Sequence, residues 1–233
     1  MSLPMGLDLN SSISQDRKST KISATLKDMS ANEFKEFNNE VLGYLRQNNL
    51  ENMISEPSSF RVIFTYMVEA IVNSLLYGLF IGILLITLII GLFFRSYLLP
   101  ALSIFPNILP IGMGFGLWGL FVGDVGFMVA VGMGSTLGVI VDFTVHFLSK
   151  YELARKEFKK SVEESVIYSF ETVGFALIIM TVVLALGFSV LNLVTFIPIQ
   201  DFAKFSVICF IGGLIINFLF LPNLLMKFDK RKF

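Results

Sequence analysis

The residues of this chain best suited to chemistry are Asp142 and His146, four positions apart in the stretch GMGSTLGVIVDFTVHFLSKY that begins at Gly132. The stretch is apolar and long enough to cross a bilayer, where a charged side chain costs roughly 2.5–3.5 kcal/mol on insertion scales. Residues at i and i+4 share one face of a helix. His146 is the only histidine of the chain. The pattern predicts a proton-handling pair in a membrane helix.

Small and hydroxyl-bearing residues surround this pair in the sequence. Gly138 lies one turn before Asp142 and leaves room for another helix or for water. Hydroxyl groups nearby in the sequence belong to Ser135, Thr136 and Thr144, and Thr181 in a later span is expected to approach from a second helix. We therefore take Asp142, His146 and Thr181 as the candidate proton relay. The alternative is a structural Asp142–His146 hydrogen bond that holds helices together, and for His146 the two interpretations stay equally open.

Other chemistries find little support in the sequence. Intramembrane aspartyl proteolysis needs two acids in spans and a Gly-x-Gly-Asp element, but Phe121 stands where the first glycine before Gly123-Asp124 would be. The chain has no Gly-x-Ser-x-Gly motif and no phosphate-binding loop. One histidine and one cysteine, Cys209, make no metal-ligand cluster. We expect no metal, no cofactor and no enzymatic activity, and we expect Cys209 to be a packing residue.

The composition indicates the class of protein that contains these residues. The chain is 55% hydrophobic with 25 Phe, and its mean hydropathy is +0.75, which is typical of a polytopic membrane protein. A net charge of zero gives no reason to expect nucleic acid as a partner. Each of five apolar stretches approaches the roughly 20 residues that span a bilayer. These spans are about 71–94, 99–121, 126–149, 172–194 and 203–226.

The segments outside the spans complete the predicted fold. Between the third and fourth spans, residues 152–171 have an apolar face typical of a helix on the cytoplasmic membrane surface. Residues 1–60 predict a strand over 20–27, a helix starting with a Ser30/Glu33 capping box and ending near Asn48, and a short strand over 50–55. The fold class is thus an all-α membrane bundle over 61–233 with a small N-terminal α+β remnant.

Lys and Arg are distributed unevenly between the loops, which predicts the orientation. One side carries ten: Arg95, Lys150, Arg155, Lys156, Lys159, Lys160, Lys227, Lys230, Arg231 and Lys232. The other side holds only Lys204. The C-terminus is therefore expected in the cytoplasm and the N-terminal segment outside. Because the opening residues do not resemble a signal peptide, we expect an upstream span and read the chain as part of a longer transporter.

Glycines and prolines recur inside the spans. The pairs Gly112/Gly116 and Gly134/Gly138 have the spacing that lets membrane helices approach closely. Pro106 and Pro110 remove backbone donors from the second span. Plain helix packing is the simpler interpretation of these six residues, and a hinge that serves a conformational cycle is the alternative.

Five spaced motifs resemble one known family. The motifs are FRS at 94–96, LSIFPNILP at 102–110, GVIVDFTVHFLSKY at 138–151, GF followed by FIPIQDF over 187–202, and LPNLL at 221–225. Together and in this order they are similar to RND-superfamily exporters of the MMPL type. The third motif resembles that family's G-x-x-x-D-Y-x-x-H-x-L-x-R-Y helix, except that Phe143 replaces the tyrosine and so lacks its hydroxyl.

The resemblance implies a proton-driven exporter in the bacterial cytoplasmic membrane, built from two homologous six-helix halves with large porter domains. This chain resembles the C-terminal half without its first helix and most of its porter domain, and Asp142 matches the proton-relay acid. The implied partners are the N-terminal half, membrane lipids and a hydrophobic or lipid-like substrate, and a homo-oligomer is left open. The alternatives are a non-pumping, sterol-sensing-like lipid module and a SecD/SecF-type translocation subunit.

Overall fold

The computed structural model describes residues 13–14, 16, 18–27, 29, 31–48, 50, 53–55, 57–123 and 125–231. The chain divides into two compact units, Met1–Thr65 and Tyr66–Phe233. In chain order the helices are α1 (Ala31–Gln47), α2 (Phe60–Phe94), α3 (Leu98–Phe121), α4 (Phe127–Lys156), α5 (Val162–Ser169), α6 (Phe175–Val190) and α7 (Ile197–Phe228). A π-helical turn, Phe170–Gly174, joins α5 to α6, and a 3-10 turn, Leu191–Leu193, follows α6.

The first unit contains the predicted amphipathic helix as α1, which buries Phe34 and Asn38. The predicted strands are not formed in the part of this unit that the structure describes. Residues 20–27 have no strand partner beyond an isolated bridge between Ile13 and Thr20. After α1, the amide of Ile54 bonds to the carbonyl of Leu50 at 2.9 Å, so this backbone forms local turns and not a ladder. The predicted cap residue Ser30 lies outside the described residues.

The second unit confirms the five predicted spans. Five helical segments are long and apolar enough to cross a membrane: α2, α3, α4, the continuous run Val162–Leu193, and α7. Helix α3 matches its predicted stretch closely, whereas the other segments are longer because turns with polar residues continue the helix beyond one or both ends of the apolar core. Within the described residues, then, the fold is a helical membrane bundle without strands.

The stretch 152–171 differs from the single surface helix that its amphipathic pattern predicts. Its first residues, through Lys156, form the last turns of α4. A new helix begins at Val162 because the Ser161 hydroxyl accepts from the Glu164 amide at 3.2 Å and Glu164 accepts from the Ser161 amide at 2.9 Å. This helix then runs through the π-helical turn into α6. The amphipathic residues are thus extensions of two membrane helices.

Helix α7 is the central packing partner of this unit, and it contacts α3, α4 and α6. Close approach depends on glycines other than the predicted pairs. A Cβ atom at Gly114 would lie 2.6 Å from the Cys209 sulfur, and one at Gly213 would lie 2.9 Å from Ile140 Cγ1. Because lipid competes with apolar side chains for contact, such close contacts supply much of the association energy of membrane helices.

Helix α2 packs on the unit through one stripe of side chains. The residues of this stripe are Leu75, Leu79, Ile83, Ile86, Ile90 and Phe94. Only 6% of its most apolar window is buried. The helix ends in a Schellman-type turn, in which the Ser96 amide bonds to the Gly91 carbonyl at 3.3 Å and Arg95 adopts a φ of 48°. Because so little of its apolar window is buried, most of α2 is left free to face lipid or further protein.

Candidate proton-handling site

Helix α4 has a buried face and an exposed face, and the candidate pair lies on the exposed one. Ile140, Phe143 and Phe147 on the buried face are fully inaccessible to solvent. Asp142 and His146 lie on the opposite side, with Gly138 and Gly134 at the preceding four-residue steps. A stripe of two glycines, an acid and a histidine thus runs along the outside of the bundle. We call these four residues the α4 stripe.

The structure brings Asp142 and His146 together. His146 Nε2 lies 3.3 Å from Asp142 Oδ1, and the two side chains are 56% and 46% exposed, respectively. A Cβ atom added at Gly134 or Gly138 would meet nothing within 4 Å. The described residues of this chain do not enclose the pair. Asp142 and His146 thus form a contacting pair on an exposed surface of α4.

Thr181, the third predicted member of the relay, is not brought to Asp142. Its side chain is buried, and its hydroxyl donates to the Leu177 carbonyl of its own helix at 2.8 Å. The nearby hydroxyls of Ser135 and Thr136 likewise donate to carbonyls of α4 itself, at 3.0 and 3.1 Å. These hydroxyls were expected near Asp142. Within the described residues, the hydrogen bonds that they donate go to backbone carbonyls instead.

The remaining residues predicted for packing or bending lie on α3. Pro106 and Pro110 are buried within a helix that continues through both of them. Gly112 and Gly116 face open space, with nothing within 4 Å of an added Cβ atom. The two glycines therefore leave a face of α3 that no described part of this chain covers.

A buried polar cluster, which was not predicted from the sequence, lies on the inner side of α4. The Thr144 hydroxyl lies 2.7 Å from Asn107 Oδ1 on α3 and 2.8 Å from Asn217 Oδ1 on α7. All three residues are at most 2% exposed. Asn217 also donates through Nδ2 to the Gly213 carbonyl at 3.0 Å. A single hydroxyl proton serves only one of the two amide oxygens at a time, so the three side chains form one shared network.

This Asn107–Thr144–Asn217 cluster fixes the rotation of α4 about its axis. Residues two apart on an α-helix are separated by about 200°. With Thr144 held between α3 and α7, Asp142 must point away from both. The sequence does contain a signal for the cluster, because a lone asparagine in an apolar span requires a hydrogen-bonding partner. The sequence cannot show which two spans supply that partner.

Replacing Thr144 by valine is expected to lower the free energy of unfolding by about 2 kcal/mol. The substitution nearly preserves shape but leaves two buried amide oxygens without the hydroxyl. Thr181→Val is the matched control, because the Thr181 hydroxyl bonds only to its own helix. The measurement is equilibrium unfolding in mixed micelles followed by circular dichroism. Equal stabilities of the two variants would show that the cluster is not a stabilising contact.

A second cluster, which is ionic, holds the end of α4 that follows the candidate pair. Arg231, beyond α7, makes two hydrogen bonds to the Glu152 carboxylate at 3.0 and 2.9 Å. It also bonds to Asp229 at 2.8 Å. The Tyr151 hydroxyl donates to Asp229 at 2.6 Å, and Arg155 Nε lies 3.7 Å from the same carboxylate. We call these five residues the end cluster.

The end cluster is nearly closed to solvent. The Asp229 side chain is fully buried, and those of Glu152 and Arg155 are 6% and 7% exposed. Burial by itself raises the pKa of Asp229, but hydrogen bonds from Arg231 and Tyr151 outweigh this effect and hold the pKa at about 2. The same carboxylates hold the pKa of Arg231 above its ordinary value, against the opposing effect of burial.

Lys156 extends these contacts to the end of α2. Its ammonium group lies 2.9 Å from Glu152 Oε1 and donates to the Phe94 carbonyl at 3.0 Å. In the sequence, Arg155, Lys156 and Arg231 indicated only the orientation of the chain in the membrane. The structure adds that all three make ion pairs. The pairs of Arg155 and Arg231 join the end of α4 to the segment after α7, and the Lys156–Phe94 hydrogen bond joins α4 to the end of α2.

The described residues offer no group of three or more His, Cys, Asp or Glu side chains that could hold a metal ion. The structure instead brings a carboxylate and an imidazole, Asp142 and His146, into contact on an exposed face of α4. The two anchors on α4, namely the buried polar cluster and the end cluster, keep this face outward.

Comparison with known proteins agrees with the membrane fold. The model of the MMPL family matches residues 8–226, nearly the whole chain. No curated protein gave a significant match. Five helices able to span a membrane, together with this match, indicate a multi-pass, transporter-like membrane protein of the RND type. The chain belongs to the MMPL family.

Proposed function

We propose that this chain is the C-terminal membrane half of an exporter driven by the proton motive force, with Asp142 as the residue that carries the proton. The substrates would be hydrophobic or lipid-like molecules, and the location would be the bacterial cytoplasmic membrane. The observation that carries the proposal is the half-exposed Asp142–His146 pair on the outer face of a membrane-spanning helix. Family membership supports the transporter class.

A carboxylate on the outer face of a membrane helix requires a partner. Facing lipid it would carry the full insertion cost of an ionisable side chain, so the stable arrangement places it against protein or water. The α4 stripe offers two glycines with free space above them, which lets another helix approach closely. We infer that the other half of the transporter packs on this stripe and encloses the pair.

If Asp142 is enclosed at the interface between the two halves, its protonation would favour one arrangement of the halves over the other. Moving one elementary charge through 100 mV supplies about 2.3 kcal/mol, enough to bias two arrangements of the halves. The end cluster ties α4 to the segment after α7, and Lys156 ties α4 to α2, so a displacement of α4 would move these elements together. The excess of Lys and Arg at this end supports a cytoplasmic location for the end cluster and the C-terminus.

The test is proton flux through the native transporter in everted membrane vesicles, read with a pH-sensitive dye. Asp142→Asn is expected to abolish substrate-dependent flux, and Asp142→Glu is expected to retain part of it because the group still titrates. Asp201→Asn is the control, since Asp201 pairs only with Lys204 at 3.8 Å outside the site.

Unchanged flux in Asp142→Asn would overturn the assignment. If, in addition, Gly138→Leu abolished function, a non-pumping membrane module that relies on close packing of the α4 stripe would replace the exporter. His146→Gln separates two roles for the histidine. A proton-transfer role predicts a strong loss of flux, whereas a structural hydrogen bond predicts a flux close to that of the unmodified protein.

A further inference from the structure

The turn between α2 and α3 carries a cationic side chain in a backbone conformation that favours glycine. Arg95 follows the last residue of α2 with a φ of 48°, in the left-handed region where a Cβ atom is crowded. Arginine therefore has a steric cost at this position that glycine would avoid. Backbone strain of this kind is common where a side chain has a function. The FRS motif at 94–96 that contains Arg95 takes no part in the proton-handling site.

The Arg95 side chain is available to a ligand. It is exposed, and within the part of the chain that the structure describes no hydrogen bond or ion pair engages its guanidinium. Tyr97, two residues on, is 99% exposed, and a tyrosine at the end of a membrane span is typical of the headgroup layer. Because the turn joins two apolar spans, Arg95 lies at the level of the phospholipid headgroups in either orientation of the chain.

A second cationic group lies beside this turn. Lys156 donates to the carbonyl of Phe94, the residue before Arg95, at 3.0 Å and pairs with Glu152 at 2.9 Å. An ammonium group has three protons, so one remains for a further acceptor, and the Lys156 side chain is 39% exposed. Glu152 also pairs with Arg231. Its single negative charge is therefore shared between two cations and does not neutralise this end of the bundle.

We propose that Arg95 and Lys156 form a binding site for the phosphate group of an anionic phospholipid such as phosphatidylglycerol. The planar guanidinium can donate two parallel hydrogen bonds to phosphate oxygens, and the ammonium group supplies a third. The acyl chains would lie along α2, most of whose apolar surface is unburied. A free phosphate ester offers the same oxygens, but the position of the turn at the ends of two membrane spans favours a lipid.

The proposed site is separate from the proton-handling pair. Lys156 follows Asp142 by 14 positions on α4 (142 to 156), which places the two residues about 21 Å apart along the helix axis. Binding requires a chain that spans a membrane, but neither proton coupling nor the other half of the transporter. Asp142→Asn should therefore leave lipid binding unchanged, and failure of the exporter proposal would not affect this result.

Native mass spectrometry of the full chain in a non-ionic detergent measures this binding. Short-chain phosphatidylglycerol is titrated in parallel with phosphatidylcholine of the same acyl chains, in which a quaternary ammonium group compensates the phosphate charge. The unmodified chain is expected to bind phosphatidylglycerol about tenfold more tightly than phosphatidylcholine. Glycerol phosphate, which has the phosphate but no acyl chain, is expected not to compete.

Arg95→Gly removes the guanidinium and relieves the left-handed backbone in one step. It is expected to weaken phosphatidylglycerol binding about tenfold, yet to unfold at the same or a higher denaturant concentration than the unmodified chain. A purely structural role for Arg95 predicts that any loss of binding accompanies a loss of stability. Arg95→Gln, which removes the charge but keeps a side chain on the strained backbone, should weaken binding equally. Lys156→Gln keeps a donor for the Phe94 carbonyl and should also weaken binding.

Lys230→Gln is the matched control, because Lys230 is an exposed cation in the segment after α7, outside the turn. Its effect on binding should stay within about twofold, and circular dichroism establishes that each variant is folded. Equal losses in Lys230→Gln and Arg95→Gln would show that diffuse positive charge attracts the lipid and would overturn the site. Equal affinities for the two lipids would overturn the recognition of net charge, and competition by glycerol phosphate would overturn a lipid as the occupant.

Discussion

Replacing Asp229 by alanine is expected to lower the free energy of unfolding by about 3 kcal/mol. Asp229 has a fully buried side chain that accepts from the Tyr151 hydroxyl and from Arg231 and lies close to Arg155. Without it, Arg231 and the buried Arg155 each lose a nearby carboxylate, and the buried Tyr151 hydroxyl loses its acceptor. The measurement is equilibrium unfolding of the chain in mixed micelles followed by circular dichroism.

Lys230→Ala is the control for this change, because Lys230 is an exposed neighbour that takes no part in the end cluster. Its expected effect is within about 0.5 kcal/mol. Asp229→Asn keeps an acceptor for Tyr151, so its loss of stability should lie between those of Asp229→Ala and Lys230→Ala. A loss no larger for Asp229→Ala than for Lys230→Ala would show that the end cluster does not stabilise the fold.

The end cluster also predicts a dependence of stability on pH. The pKa of Asp229 falls from 3.8 to about 2 in the folded protein. A lowered carboxyl pKa adds stability that is complete above the unfolded value and disappears as the pH falls through the folded value. The expected contribution is about 2 kcal/mol, lost between about pH 4 and pH 2. Asp229→Asn should lack this part of the acid dependence, and the check is unfolding measured across that range.

Gly114→Leu is expected to destabilise the membrane unit by about 3 kcal/mol. A Cβ atom at this position would lie 2.6 Å from the Cys209 sulfur and 3.3 Å from Phe205 Cε2, so α3 and α7 must separate to admit a side chain. Both neighbours are fully buried and cannot move into open space. The free energy of unfolding in mixed micelles measures the loss.

Gly116→Leu, two residues along α3, is the matched control. Nothing lies within 4 Å of its added Cβ atom, and leucine has a higher helix propensity than glycine by roughly 0.8 kcal/mol. The isolated chain should therefore lose no stability at this position. A similar loss in both variants would indicate that glycine flexibility, and not close helix contact, determines the effect.

Sequence patterns located the membrane helices but not the contacts between them. Apolar length is a local property, so all five spans could be predicted, and the four-residue spacing of Asp142 and His146 placed both on one face. The spacing of Gly134 and Gly138 predicted a small-residue face for close helix packing, and no described part of the chain packs on that face. The glycines that the chain's own helices pack against include Gly114 and Gly213, because helix contacts depend on which faces meet.

The predicted surface helix over 152–171 shows a second limit. The apolar residues do lie on one face, but the Ser161–Glu164 capping box begins a new helix in the middle of the stretch. The residues before it extend α4, and those after it extend the Val162–Leu193 segment. An amphipathic pattern reports which face is buried, not whether the backbone is continuous. The N-terminal strands failed for a related reason, since alternating polarity cannot supply a pairing partner.

The sequence by itself determined the membrane class, the number of spans and the i, i+4 pairing of Asp142 with His146, because these depend on residue type and spacing along one helix. Only the tertiary structure decided that the pair faces outward. That orientation results from Thr144 bonding to Asn107 and Asn217 and from Arg231 bonding to Glu152, contacts between residues that are 37 to 79 positions apart in the chain. The rotation of a helix about its axis depends on such partners, which cannot be identified from the sequence of that helix alone.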